Sequence, residues 1–439
     1  MTSSPSKDGK APAPAGAEQT VTLRILSSLK DVSREAWDSV ANPGWRMTDG
    51  GVLQKDDAQC AGMDDLAAVL ADDAGPLPEE TAFNPFLSHA FLEALEASGC
   101  ATAETGWLPR HMLLEDDAGA VLGALPAYLK GHSQGEYVFD HGWAEAFHRA
   151  GGAYYPKLQV SVPFTPATGR RFLTGPGVNR EAGMQALAAG LVQVCQRTGA
   201  SSVHATFLTR GEWDHLGELG YLQRTDQQFH WENNGYDNFE DFLADLASRK
   251  RKAIRKERRE ALSAEGLEVE WATGSDLTEA HWDAFYSFYL DTGSRKWGRP
   301  YLNREFFSLI NERLADRTLL VLAKRDGRYV AGALNFIGSD TLFGRNWGCT
   351  EHHPFLHFEL CYYQAIDFAI AQGLKRVEAG AQGAHKLARG YLPATTYSAH
   401  WIAHEGLHDA IADFLEHERA AVEHENAALA EHAPFRKDG

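Results

Sequence analysis

Two stretches decide how this chain is interpreted: HMLLEDDAGAVLGALPAYLKG at 111–131 and TLLVLAKRDGRYVAGALNFIG at 318–338. Each has an apolar run, an acidic turn with glycine and a second apolar run, a pattern that predicts a β-hairpin. Both second runs contain Gly-Ala-Leu, and Gly332 follows Gly123 by 209 residues. Because hairpins with glycine turns are common, the repeat is also compatible with chance. A true duplication predicts two similar α/β modules in tandem.

A helix-like stretch follows each hairpin, WAEAFHRAGG at 143–152 in the first copy and HFELCYYQAIDFAIAQG at 357–373 in the second. Before the first hairpin, PFLSHAFLEALEASG at 85–99 predicts another helix. Ser88 or Asn84 could cap its start, and Gly99 could end it. The segment from about 47 to 80 is rich in Gly and Asp and predicts a loop.

Composition sets limits on the class of protein. The 439 residues are 44% hydrophobic and 23% charged, which is typical of a folded protein with two or three domains. A net charge of −18 excludes general polyanion binding outside a concentrated basic patch. Five widely spaced cysteines indicate reduced thiols. Residues 1–20 resemble a disordered tail, and no run suits a membrane span, so we expect a cytoplasmic protein.

The basic patch is RKRKAIRKERR at 249–259, where eight of eleven residues are basic. Good helix formers surround it from 239 to 266, and Gly266 closes the segment, which predicts one long connecting helix. Its cations suit a polyanion such as tRNA or a nucleotide phosphate. The alternative is a solvated helix that pairs with acidic residues elsewhere. The candidates for binding tRNA or another such polyanion are Arg249, Lys250, Arg251, Lys252 and Arg255.

Two carboxylates are candidates for a general base. Glu359 falls within an apolar helical stripe with Tyr363 and Ile366, and burial there would favour proton transfer near neutral pH. A buried glutamate paired with an arginine is the alternative. Glu378 stands at the end of a predicted strand, where α/β proteins often place ligands.

The segment AGAQGAHKLARGY at 379–391 follows directly. Its glycines permit close approach of the backbone, and His385, Lys386 and Arg389 bring cations together, which suits an anionic substrate. The spacing matches neither the phosphate loop nor the G-x-G-x-x-G fingerprint.

The first module has a polar cluster between Lys130 and Asp140, followed by Tyr154, Tyr155 and Lys157. These residues could line a substrate cleft, or they could form a surface loop whose polar groups all have hydrogen-bond partners. HEGLH at 404–408 matches the zinc motif H-E-x-x-H. Gly406 weakens the required helix, so a zinc hydrolase is a minor alternative.

Seven segments together carry a resemblance to a known family. They are PFLSHAFLEALEASG (85–99), GWLPRHMLLED (106–116), YLKGHSQGEYVFDHGWA (128–144), YYPKLQVSVPFTPATGRR (154–171), SRKRKAIRKERR (248–259), LHFELCYYQAIDFAI (356–370) and EAGAQGAHKLARGYLPATTYSAHWI (378–402). Over about residues 22–415 the chain resembles the FemAB-like family of bacterial N-acyltransferases, associated with peptidoglycan biosynthesis or recognition. Ala384 stands where members often have Glu.

The resemblance implies an α/β fold of two tandem GNAT-like modules with mixed, largely antiparallel sheets. The corresponding boundaries are a tail at 1–20, module 1 at 21–236, a basic connecting helix at 237–266, module 2 at 267–403 and a C-terminal helix and tail at 404–439. The implied activity is transfer of an acyl or aminoacyl group to an amine of a small molecule or peptide, with acyl-CoA or aminoacyl-tRNA as co-substrate. No tightly bound cofactor, metal or DNA partner is expected.

For this chemistry the candidate bases are Glu359 and Glu378. The candidate substrate-binding residues are Lys157, Tyr155, Asn346, Trp347, His357, Gln382, His385, Lys386 and Arg389. The alternative from another class is a non-catalytic module that binds peptide or cell-wall fragments.

Overall fold

The computed structural model describes residues 21–48, 52–55, 82–295, 300–381, 383 and 385–436. The predicted disordered tail at 1–20 lies outside these residues, as does most of the predicted loop at 47–80. The strands are β1 (Thr22–Leu26), β2 (Trp45–Met47), β3 (Leu53–Lys55), β4 (Trp107–Pro109), β5 (His111–Glu115), β6 (Val121–Leu125), β7 (Ala127–Lys130), β8 (Lys157–Val160), β9 (Leu173–Thr174), β10 (Ser202–Leu208), β11 (Leu222–Glu232), β12 (Leu267–Thr273), β13 (Thr318–Arg325), β14 (Arg328–Ile337), β15 (Thr341–Cys349), β16 (Arg376–Glu378) and β17 (Leu392–Ile402).

The helices are α1 (Arg34–Ala41), α2 (His89–Ala97), α3 (His141–Arg149), α4 (Arg180–Thr198), α5 (Arg210–Glu218), α6 (Phe239–Asp245), α7 (Ser248–Ala261), α8 (Glu279–Arg295), α9 (Arg304–Leu314), α10 and α11 (Glu405–Ala430). Helix α10 comprises Leu356–Phe358, a π-helical turn at Glu359–Tyr363, and Gln364–Ala371. Within the described residues, no helix combines the length and apolar character needed to cross a bilayer.

One sheet of eleven strands runs through both modules in the order β12-β13-β14-β15-β16-β11-β17-β10-β8-β7-β4. The last strand of each module lies among the strands of the other. Strand β11 pairs with β16 of module 2, and β17 pairs with β10 of module 1. The two exchanged strands pair with each other from Leu222↔His400 to His230↔Leu392. A second sheet, β1-β5-β6-β9, belongs to module 1.

Each module contains one parallel strand pair, β8 with β10 and β15 with β16. A parallel connection needs a long crossover, and helices α4 and α10 lie in these two crossovers. The helical position of the first copy is therefore α4. Placing it at 143–152 was wrong: α3 lies there, between β7 and β8, which pair antiparallel.

The predicted mixed α/β fold of two related modules is confirmed. Both hairpins form, β5–β6 and β13–β14, and the second turns on Asp326 and Gly327, which both have positive φ as a tight turn requires. Helix α2 forms as expected. The Ser88 side chain accepts a hydrogen bond from the backbone N–H of Phe91 at its start.

The single connecting helix predicted for 239–266 is two helices in the structure. Leu246 has extended backbone after α6, and Ala247 donates its N–H to the Pro434 carbonyl oxygen at 2.9 Å. Leu246 also forms a β-bridge with Phe435. Docking of the C-terminal segment thus breaks the helix before the basic patch. The predicted loop at 47–80 also differs from the structure at its start, where β2 and β3 form a short antiparallel pair.

The core is divided by the large sheet. One apolar cluster joins the two modules, because it includes Phe86 and Phe91 near α2 together with Phe285 of α8 and Phe343 of β15. We call the side of β13–β16 that this cluster covers the inter-module face. The other side packs against α10, α6 and α7, with Leu342 in that cluster, and we call it the α10 face.

Close packing of β15 against α8 gives a stability prediction. A Cβ at Gly348 would lie 2.2 Å from the carbonyl oxygen of Phe288. We expect Gly348→Ala to lower the free energy of unfolding by about 1–3 kcal/mol, because backbone must move to admit the methyl group. Urea denaturation measures this change.

The control is Gly131→Ala, since a Cβ at Gly131 meets nothing within 4 Å. Its unfolding midpoint should match that of the wild type. Equal stability of the two variants would contradict the packing described for β15 and α8.

Candidate functional site

Strands β15 and β16 separate at one end. They are paired from Thr341 and Arg376 as far as Phe343 and Glu378, and beyond this point β15 remains paired with β14. A Cβ at Gly344, the next residue, would lie 3.1 Å from the carbonyl oxygen of Glu378. The absence of a side chain at Gly344 lets the Glu378 backbone approach closely. Because β16 ends at Glu378, β15 has no β16 neighbour beyond this point. We call the gap the β15–β16 opening.

On the α10 face, aromatic side chains line this opening. Helix α10, which supplies three of them, contains a π-helical turn, and such turns frequently occur at functional sites. The rings of Trp347 and His357 lie 5.2 Å apart, and the Tyr362 hydroxyl is 3.0 Å from His385 Nε2. The aromatic cluster consists of Trp347, His357, Phe358, Tyr362 and His385.

Two buried cations adjoin the aromatic cluster. The Lys386 ammonium donates to the carbonyl oxygens of Ala379 at 2.6 Å and Gly380 at 2.9 Å, which fixes the chain just after β16. Burial lowers the pKa of Lys386 to about 8. The Arg389 guanidinium lies 3.5 Å from the centroid of the Phe358 ring. Two buried cationic side chains thus lie beside the aromatic cluster.

Helix α7 packs against this same face through ionic contacts. Arg258 donates to Glu359 at 2.8 Å and to Asp367 at 2.6 Å. Glu257 accepts a hydrogen bond from Arg389 at 2.8 Å. Glu359 is fully buried and pairs with an arginine. These contacts match the alternative interpretation of the sequence, a buried carboxylate paired with an arginine.

The remaining cations of α7 face outward. Arg255 pairs with Glu240, and Lys256 lies 3.5 Å from Glu260. Five others form no ion pair within the described part of the chain: Arg249, Lys250, Arg251, Lys252 and Arg259. They concentrate positive charge on α7, in a chain whose net charge is −18.

A pocket lies on the inter-module face of the same strand pair. Its walls come from residues 82–87, residues 168–170 and the starts of β15 and β16, and its empty volume, including space open to solvent, is ≈ 550 Å³. Glu378 and Arg170 line it, and they are only 5% and 8% exposed. Glu378 shares this face with its strand partner Phe343. We call this space the inter-module pocket.

The structure therefore separates the predicted site residues into groups. His357, His385, Lys386, Arg389 and Trp347 meet on the α10 face, whereas Glu378 lies on the inter-module face. Asn346 is opposite Leu334 of the inter-module cluster, so it points away from Trp347. Gln382 and Ala384 lie outside the described residues.

Sequence reasoning missed Phe358 and Tyr362 in the aromatic cluster, and Arg170 and Arg376 in the pocket. Arg170 had a local signal in the pair of arginines that ends TPATGRR, and Arg376 precedes Glu378 by two residues on β16. The period of two along a strand could have placed Arg376 and Glu378 on one face.

The polar residues predicted to group in module 1 also meet, but at a different place. Lys157 is fully buried and donates to Glu136 at 2.7 Å and to Asp140. Burial alone would raise the pKa of Asp140, but the charge of Lys157 holds that pKa well below its usual range. Tyr155 hydrogen bonds to Ser133 at 2.8 Å. Lys157 thus belongs to an ionic cluster inside module 1.

The HEGLH motif spans the start of α11. His404 caps the helix and accepts a hydrogen bond from the Leu407 N–H at 3.2 Å, and His408 lies 3.0 Å from Asp409. Among the described residues, no group of three His, Cys, Asp or Glu side chains could hold a metal ion.

Comparison with known proteins identifies the family. The sequence profile of the FemAB-like family, described as peptidoglycan biosynthesis/recognition, matches residues 67–437. The chain belongs to the FemAB-like family. Membership confirms the predicted family. No curated protein matches the sequence.

Three solved structures are similar to this FemAB-like chain. FemX is 13% identical with a TM-score of 0.47, and the match covers 80% of this chain and 98% of FemX. L-PGS from Bacillus licheniformis is 10% identical with a TM-score of 0.46, covering 77% and 99%. A tandem GNAT protein from the clavulanic acid biosynthesis pathway is 12% identical with a TM-score of 0.43, covering 88% and 99%.

The contact between α7 and α10 gives a testable prediction. In a double-mutant cycle on unfolding free energy, Arg258→Gln and Glu359→Gln should show a coupling of about 2 kcal/mol, because Glu359 is buried and loses its charged partner. The matched control is the exposed pair formed by Arg255 of α7 and Glu240 of α6, for which we expect a much smaller coupling because solvent screens both charges. Equal couplings for the two pairs would show that Glu359 is not a structural partner of Arg258.

Proposed function

We propose that this FemAB-like protein transfers an acyl or aminoacyl group from an anionic donor to an amine at the β15–β16 opening. The observation that carries this proposal is the arrangement of charge around one gap in the sheet. Cations line the α10 face of that gap, while the buried carboxylate Glu378 stands on its inter-module face. Donor and acceptor can then approach from opposite faces.

The donor side is proposed from helix α7. Its outward cations suit the phosphates of acyl-CoA or aminoacyl-tRNA, and Arg389 connects this helix to the opening through Glu257. His357 and Trp347 lie where the acyl or aminoacyl end would enter. Either donor would place the reaction in the cytoplasm.

For the base, we propose Glu378 rather than Glu359. Glu359 is enclosed by Arg258 and by Gln364, whose amide donates to it at 2.8 Å. Glu378 instead lines a pocket at the point where the strands separate. A carboxylate there can take the proton from an attacking amine, which is the contribution expected of a general base.

The donor is tested by titrating the full chain with acetyl-CoA and, separately, with charged and uncharged tRNA at two salt concentrations. Replacing Arg249, Lys250, Arg251 and Lys252 by Gln should weaken binding roughly tenfold or more and reduce its salt dependence, because four phosphate contacts are lost. The binding assay also decides between the two donors.

The matched control neutralises four exposed cations on other surfaces, Lys30, Arg149, Arg197 and Arg210. This variant has the same net charge as the first and should bind like the wild type. If both variants weaken binding equally, α7 is not the donor site, and if neither donor binds the wild type, the transferase proposal fails.

The base is tested by comparing Glu378→Gln with Glu359→Gln, using the donor that binds and a mixture of amines, with product detected by mass spectrometry. Glu378→Gln should lower kcat by ~10²–10⁴, because an amide of the same shape cannot accept the proton. Glu359→Gln should mainly lower the unfolding temperature. A Glu378→Gln enzyme with wild-type kcat would remove Glu378 from this role.

A further inference from the structure

The inter-module pocket has charges of both signs in its lining. The Arg170 guanidinium and the Glu378 carboxyl are both more than nine-tenths buried, and Arg376 and Asp340 add a second charge of each sign. Taking charges out of water is costly. A pocket built in this way favours a ligand that itself carries a cation and an anion over a purely apolar one.

The positions of these charges are fixed by the fold. The Arg170 guanidinium donates to the carbonyl oxygens of Val40 and Ala41, at 3.1 and 2.7 Å. Arg376 donates to Glu232 at 2.6 Å. Because these bonds orient the arginines before any ligand arrives, little ordering is needed on binding.

The remaining lining limits the ligand to a small molecule. Neutral polar groups come from Thr168, Thr209 and Asn84, and apolar surface comes from Phe83, Leu87 and Phe343. Gly169 marks a tight wall, since a Cβ there would lie 2.6 Å from the Asn84 amide nitrogen. The pocket therefore has charged groups that can bind the charges of a ligand, together with space for a short side chain.

We infer that the inter-module pocket binds a small zwitterion of the α-amino acid type, with its carboxylate at the arginines and its ammonium at Glu378. This inference rests on the proposed transferase function and names the class of its acceptor. It follows from a pocket with charges of both signs, lined by Glu378, the last residue of β16 before the β15–β16 opening.

The chemistry balances for such an acceptor. The ammonium gives one proton to Glu378, and the amine nitrogen then bonds to the acyl carbon while the C–S bond of a thioester or the C–O bond of an aminoacyl ester breaks. The second amine proton leaves with the departing thiol or hydroxyl, and Glu378 returns its proton to solvent. The product is an N-acylated amino acid.

The test is calorimetric titration of the full chain, without donor, with individual proteinogenic amino acids. The amino acid that binds most tightly is then compared with its amide, which lacks the carboxylate, and its deamino acid, which lacks the amine. We expect each analogue to bind about tenfold or more weakly than the zwitterion, since each loses one charge-assisted contact.

Arg376→Gln should weaken binding by a similar factor, with Arg325→Gln as its matched control. Arg325 also pairs with a glutamate at a strand end, at 3.1 Å, but lies outside the pocket. Equal affinity for the zwitterion and its one-charge analogues, an Arg376→Gln variant that binds normally, or no binding of any amino acid would each overturn the inference.

These failures are distinct from failure of the proposed function. Acyl transfer to an amine that lacks a carboxylate would support the transferase proposal and contradict the zwitterion inference. Binding of an amino acid without binding of either donor would support a zwitterion site and contradict the transferase proposal.

Discussion

The pairing between β11 and β17 is the constraint on which the rest of this structure depends. These are the last strands of the two modules, and each is inserted beside the parallel pair of the other. The ladder from Leu222↔His400 to His230↔Leu392 therefore makes one sheet from two modules. A second contact between the modules joins β10 and β17, where the ring Nδ1 atoms of His204 and His400 lie 2.7 Å apart. The modules cannot move independently without breaking this ladder.

This shared sheet gives one strand pair two faces with different surroundings. Strand β16 is only three residues long and is held between β15 of its own module and β11 of the other. One face of the pair is covered by α10 and α7, and the other meets residues 82–87 and 168–170 of module 1. The inter-module pocket therefore exists only because the modules are joined. Helix α7 also has two sets of cations. Arg258 points inward to Glu359, whereas Arg249, Lys250, Arg251 and Lys252 near its start form no ion pair within the described residues.

Local sequence patterns predicted the local structure well. The hairpins, the Ser88 cap and the proximity of Lys386 and Arg389 all follow from short-range patterns. The exchange of β11 and β17 could not be predicted, because it depends on the pairing of strands far apart in the sequence. The same holds for the break at Leu246, where the distant Phe435 forms a β-bridge, and for α4 as the true crossover helix. In α10 the π-helical turn changes which residues share a face of the helix. A regular helical period places Tyr363 on the same face as Glu359, whereas in the structure Tyr362 is the tyrosine that contacts His385.

Our central claim, that donor and acceptor meet across the β15–β16 opening from opposite faces, is tested most directly by hydrogen–deuterium exchange. The full chain would be measured alone, with the donor that binds and with the amino acid that binds. We predict that the donor slows exchange in α7 and α10, whereas the amino acid slows it at 82–87 and 168–170, and that both slow it at 344–347. Protection of a single face by both ligands, or protection confined to the Lys157 cluster of module 1, would contradict the account.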